Sequence, residues 1–240
     1  MTRSLILPAL IFVAVFPATS FNRLASFSRL PVTEKIIALT FDDHFDKHIT
    51  KYGAEKILDT LKLNNLRCTF FLTGELLKIK PDLVRRIIAD GHEIGNHTWT
   101  HAWVRAENDS EKRLLRELKI TQEYFFQNFT GPYTHFWRAP HGHVNEKTMH
   151  WAHKIGLKHI GWTYDMYDWD ANPKSKTYRP VKTMLKIFRR LIDSNSGQGA
   201  IILLHLESAR KTENVAEILQ EMIDYVKLRG YTFAKISDYF

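Results

Sequence analysis

Apolar positions along this chain fall into two alternating kinds of run. Continuous β-favouring stretches at 35–41, 68–72, 93–95, 135–137, 158–162, 200–204 and 231–234 carry the pattern of strands buried on both faces. Between them apolar residues recur at helical spacing: Ala54, Ile57, Leu58 and Leu61; Leu83, Val84, Ile87 and Ile88; Leu114, Leu118 and Phe125; Val215, Ile218, Leu219, Met222 and Val226. The punctuation agrees with these runs. Asn64-Asn65 ends the first helix, Pro81 suits the first turn of the second, and Gly91 lies just past its end. Asn108 and Glu111 have capping-box spacing, helices are expected over about 145–155 and 181–192, and Gly230 closes the last one. The polar stretch 171–180, with two prolines, reads as a surface loop.

Strands alternating with helices imply βαβ units, a parallel sheet and right-handed crossovers. Seven such units predict a single α/β domain built as a closed or distorted barrel. Asp42, Asp43, Arg138, Asp165 and His205 each follow directly on an expected strand, and the turn holding His97 and His101 follows another. In parallel barrels those strand ends gather at one rim, so residues from 42 to 205 are expected to share one pocket.

Composition narrows the class. With 240 residues, 44% hydrophobic and 25% charged, the chain suits one globular domain and neither disorder nor a multi-span membrane protein. The net charge of +8 is scattered rather than gathered into a basic stripe, which argues against a nucleic-acid partner. Residues 1–20 have a positive start, an apolar run from Leu5 to Ala18 and small residues at Ala18-Thr19-Ser20, the pattern of a signal peptide. Cleavage after Ser20 predicts a secreted, periplasmic or cell-envelope protein with no stable membrane insertion. An uncleaved N-terminal membrane anchor is the alternative. Residues 21–33 read as a tether and 34–240 as the folded domain. The single cysteine, Cys68, is expected to be a small buried hydrophobe.

The chemistry centres on His97-Thr98-Trp99-Thr100-His101. Two histidines at i and i+4 project to one side of a helical turn, but that spacing alone is common by chance. Joined by a carboxylate from the strand-terminal pair Asp42-Asp43, it outlines a two-His, one-Asp metal site with positions left open for water and substrate. Zn²⁺ is the first expectation from ligand type, with Co²⁺ or Mn²⁺ also compatible. The other acid of the pair is free to act on an attacking water. Taken singly, Arg138 could be a surface arginine and Trp169 a core aromatic. His205, ending an apolar strand, needs a partner, and Asp165 is the expected one.

Five ordered motifs, Thr40-Phe41-Asp42-Asp43, His97 to His101, Arg138-Ala139-Pro140, Asp165-Met166-Tyr167-Asp168-Trp169 and Leu203-Leu204-His205, resemble those of the polysaccharide deacetylases. These are the NodB-homology domains, or carbohydrate esterase family 4. The likeness spans about residues 34–240, and Gly91 to His97 is itself typical of the family. The resemblance implies a distorted (β/α)7 barrel and a metal-dependent hydrolase removing N-acetyl groups from a GlcNAc-containing polysaccharide, of peptidoglycan or chitin type. It implies Asp43, His97 and His101 as metal ligands, Asp42 as general base and His205 as general acid. Arg138 would align Asp42, Asp165 would bond to His205, and Trp169 would wall the acetyl methyl group. Two positions depart from the family pattern: His44 replaces the glycine usual after the acid pair, and His141 the tyrosine or phenylalanine usual after Pro140. The backbone N–H of His141 remains suited to an oxyanion hole.

His92, His135, His150, His153 and His159 are expected to be structural or solvated, and Asp168 and Asp170 to support their loop. Asn96, Asn108 and Asn128 match the N-glycosylation pattern, but a glycan on Asn96 would obstruct the pocket, so that match reads as coincidental. Two other functions stay open: an O-acetyl glycan esterase or small-amide hydrolase on the same site, and a non-catalytic carbohydrate-binding protein on the same scaffold. The sequence does not indicate an oligomeric state.

Overall fold

The computed structural model describes residues 26–104 and 110–240. The expected signal peptide and Asn108 lie outside the described residues. The strands are β1 (Ile36–Asp43), β2 (Thr69–Leu72), β3 (Glu93–Asn96), β4 (Tyr133–Trp137), β5 (Lys158–His159), β6 (Tyr164–Asp165), β7 (Ala200–His205) and β8 (Thr232–Phe233). The helices are α1 (Ala54–Leu63), α2 (Gly74–Ile79), α3 (Pro81–Ala89), α4 (Glu111–Asn128), α5 (Glu146–His153), α6 (Val181–Asp193) and α7 (Leu219–Leu228).

Every strand pair is parallel, and the order β5-β4-β3-β2-β1-β7-β6 makes an open, barrel-like sheet in which β1 is an interior strand paired with β2 and β7. This is the distorted (β/α)7 barrel expected. β1 is buried along nearly all its length, which explains its unbroken apolar run. Register sets the site: Asp42 lies level with Phe71 on one side and His205 on the other, and Leu72 is level with both Asp43 and Asn96.

Several local expectations are corrected. The run 158–162 is not one strand. β5 stops at His159, and after a seam at 160–163 the chain pairs as β6 with β7 on the opposite edge of the sheet. The expected strand at 231–234 lies off the main path and pairs as β8 with the start of β1. Helix α2 was not legible, because its six residues are too short to show a period. It is capped by Thr73, whose hydroxyl accepts from Leu76 N–H. Helix α4 is capped by Ser110, which accepts from Arg113 N–H.

Residues 26–33 do not form a free tether. Phe27 N–H donates to His159 O and Gly161 N–H donates to Phe27 O, so the segment lies against the seam where β5 ends. Leu30 N–H donates to Gly199 O, and the Leu30 side chain is buried with Ala38, Phe71, Phe136, Ile160 and Ile201. An open seam exposes backbone groups and apolar edge residues, and this segment satisfies both. Leu30→Ala should therefore lower unfolding free energy by about 2–4 kcal/mol, read by urea denaturation, where a tether residue would change it by less than about 0.5 kcal/mol.

Candidate functional site

A cleft of about 520 Å³ opens at the carboxyl ends of the strands. Seven of the expected residues line it together: Asp42, His97, His101, His141, Asp165, Trp169 and His205. His44, Trp103, Ala139, His143, Trp162 and Leu203 complete the wall. Arg138 and Asp43 lie behind that surface, 0% and 1% exposed.

Arg138 anchors the floor. Its guanidinium donates to Asp42 Oδ1 at 2.7 Å, Thr40 Oγ1 at 2.8 Å, Ile160 O at 3.0 Å and Gly161 O at 2.8 Å. It also lies over the Phe71 ring at 4.2 Å. With Oδ1 so held, the other Asp42 oxygen, Oδ2, lies 3.8 Å from His97 Nε2. His97 Nδ1 meets Arg138 O at 2.9 Å, and since a carbonyl only accepts, Nδ1 carries the proton and Nε2 presents its lone pair.

The segment 97–101 is not a helical turn. Thr98 and His101 have φ of 67° and 58°, left-handed values that break any helix. Asn96 Oδ1 accepts from Thr98 N–H, and the Glu117 carboxylate accepts from the N–H groups of Trp99 and Thr100. Gly74 makes room for Trp99: a Cβ there would lie 2.0 Å from the indole. The loop still brings the His97 and His101 rings to 4.9 Å. Buried Asn96 is committed to Thr98 and Leu118 O, which agrees with discounting it as a glycan acceptor.

Asp43 faces a different set of groups. Its Oδ1 accepts from Lys51 Nζ at 3.0 Å and His44 N–H at 2.8 Å, while Oδ2 is buried without a hydrogen-bond partner among the described residues. Burial pushes its pKa up to about 6, a rise moderated by Lys51 and assisted by the nearby Glu207. Burial likewise lowers His97 to about 4 and His44 to about 3, with neighbouring positive charge adding for His44, and it drives His101 far down. Among the described residues, no group of three or more His, Cys, Asp or Glu is gathered closely enough to hold a metal ion. The donor chemistry nonetheless suits a divalent cation: neutral imidazoles, one with its Nε2 lone pair presented, and an unpartnered buried carboxylate oxygen.

The expected Asp165–His205 bond is replaced by another. His205 Nδ1 meets Asp168 Oδ1 at 2.9 Å, and His205 N–H donates to Asp168 Oδ2 at 2.9 Å. Asp165 instead accepts from Tyr167 N–H at 2.7 Å and, weakly at 3.4 Å, from the Trp169 indole N–H. Tyr167, between the two acids, has a left-handed φ of 56°. Burial alone would lower the His205 pKa, but the Asp168 charge and hydrogen bond outweigh it, helped by Asp42 and Asp165, and the net direction is up. Asp170 does support its loop, accepting from Asn172 N–H and Thr177 Oγ1.

The histidines set aside behave as expected where they are buried. His92 Nδ1 accepts from Cys68 N–H, and His159 bridges Ala139 N–H and Ser26 Oγ. Cys68 is buried. Trp162 and His143 were missed as cleft residues, since single aromatics in irregular segments give no periodic signal.

The family model for polysaccharide deacetylases matches residues 29–160. The chain belongs to the polysaccharide deacetylase family. Over 211 residues it is 31% identical to a peptidoglycan-N-acetylglucosamine deacetylase of Bacillus cereus, covering 87% of this chain and 90% of that one. It is 31% identical over 206 residues to the peptidoglycan-N-acetylmuramic acid deacetylase PdaA of Bacillus subtilis, covering 85% and 71%. The solved structure of the Bc1960 peptidoglycan N-acetylglucosamine deacetylase superposes with a TM-score of 0.73 at 28% identity, covering 90% of this chain and 92% of that one. The chain is thus a polysaccharide deacetylase on the family's barrel.

In this deacetylase the Asp168–His205 pair has a measurable signature. Folded His205 holds its proton more tightly than in the unfolded chain. Its contribution to stability is therefore fully present below the unfolded pKa, about 6.5, and is lost as pH rises through the folded value. Asp168→Asn should move the His205 titration, followed by NMR of the imidazole, to lower pH. Asp165→Asn should move it less.

Proposed function

We propose that this deacetylase hydrolyses the N-acetyl groups of a GlcNAc-containing polymer, of peptidoglycan or chitin type, outside the cytoplasm. The observation that carries the reading is the pairing of two oppositely prepared groups across one cleft: Asp42, with one oxygen fixed by buried Arg138, and His205, backed by Asp168. Relatives acting on peptidoglycan support the substrate class and an envelope location. Among the described residues no helix is long and apolar enough to cross a membrane.

In this reading Asp42 Oδ2 takes a proton from the water attacking the acetamide carbonyl. Arg138 holds the carboxylate in line, and the backbone N–H of His141 would donate to the developing oxyanion. His205 gives its Nε2 proton to the amide nitrogen as the C–N bond breaks, because an amide anion is too poor a leaving group; acetate and a free amine leave. Asp168 keeps Nδ1–H as donor, so that Nε2 faces the substrate. Trp169, steadied by Asp165, forms an apolar wall for the acetyl methyl group. Asp43, His97 and His101 would hold a divalent metal, with zinc the first candidate. Such an ion supplies positive charge that stabilises the carbonyl oxygen in the transition state.

Acetate release from chitin oligomers and peptidoglycan tests the reaction, and no release with metal bound would count against it. Asp42→Asn should lower kcat by about 10²–10⁴-fold with little change in binding; a carbohydrate-binding protein without turnover would be indifferent. Adding zinc to stripped protein should raise Tm, by an amount growing with free metal, and His101→Ala should remove most of that rise.

A further inference from the structure

His44 and His141, the two departures from the family pattern, fall in one run of stacked rings. His44 stacks on His101 with centroids 4.0 Å apart and planes at 15°. His101 meets His141 edge-on at 4.8 Å, and His141 stacks on Trp103 at 4.0 Å and 13°. The run therefore begins beside the floor of the cleft and ends at its rim, where Trp103 is 45% exposed. His141 holds a left-handed φ of 59°, and a Cβ on the next residue, Gly142, would lie 2.4 Å from Trp162. An exposed indole held flat against a second ring is a pre-organised apolar platform that pays little ordering entropy on binding.

Resting on the proposed activity, we propose that Trp103, braced by His141, is a subsite for the pyranose next to the one being deacetylated. The CH face of that sugar stacks on the indole while its hydroxyls stay in water. Trp169 lines the same cleft and is itself 45% exposed, leaving the acetamide of the reacting sugar between the walls and its neighbour against Trp103. The site thereby selects a chain over a single sugar, and His141 acts as a positioning residue.

The test follows tetra-N-acetylchitotetraose binding to the metal-loaded protein by calorimetry, in parallel with acetate release from the tetramer and from GlcNAc. Trp103→Ala should weaken tetramer binding and raise its KM by about five- to tenfold, with the loss carried by KM rather than kcat and larger for tetramer than for monomer. Trp103→Phe should restore most of the loss, which guards against a folding defect, and His141→Ala should give an intermediate one. Equal tetramer binding by wild type and Trp103→Ala, or no tetramer binding by wild type, overturns the subsite. Tetramer binding that depends on Trp103 but releases no acetate leaves the subsite standing and overturns the proposed reaction.

Discussion

The fully buried guanidinium of Arg138 is the interaction on which the rim depends. It sits between the Phe71 and Trp162 rings and joins three parts of the sheet: Asp42 and Thr40 on β1, its own position after β4, and the carbonyls of Ile160 and Gly161 in the seam. A buried charge is tolerated only when paired and hydrogen-bonded, and four acceptors meet that condition. The seam carbonyls have no strand partner on that side, so the arginine closes the barrel wall where the strands do not. The same contacts fix the Asp42 carboxylate, so that closing the fold and orienting the proposed base are one arrangement.

The adjacent acids show how two neighbours acquire different tasks. Asp42 meets the Arg138 guanidinium, whereas Asp43 meets Lys51. Asp42 has a rigid partner that is itself held on all sides. Asp43 has one oxygen bound and one unpartnered, in surroundings that raise its pKa to about 6. Lys51, 9% exposed at its side chain, also donates to the carbonyl of His44 at 2.6 Å. It thereby draws the residue after the acid pair into the same electrostatic unit, a residue that glycine could not replace in its stacking on His101.

Strand ends were legible in the sequence because buried parallel strands are written as continuous apolar runs, and the residues after them must lie at the rim. Asp42, His97, His101 and His205 were found that way. What could not be read was backbone handedness. Asp165 and Asp168 are acids three residues apart after an expected strand, and the left-handed Tyr167 between them has no sequence signal to say which one meets His205. Likewise His97 and His101 converge through a loop with two left-handed residues, although their spacing would also suit a helix. The expected tether misled for a related reason: residues 26–33 lack strand or helix periodicity, yet they satisfy a seam that no local pattern discloses.

These corrections converge on one region. The seam at 160–163, the 26–33 segment, β6 and the Asp165–Trp169 turn are consecutive in space, and together they place Asp168 beneath His205. If β5 had continued to residue 162, as its apolar run suggests, β6 could not pair with β7, and the turn bearing Asp168 would not reach the end of β7. The break in the barrel is therefore what brings the buried carboxylate to the proposed acid. The distortion of the barrel and the preparation of His205 have a common origin in the seam that Arg138 closes.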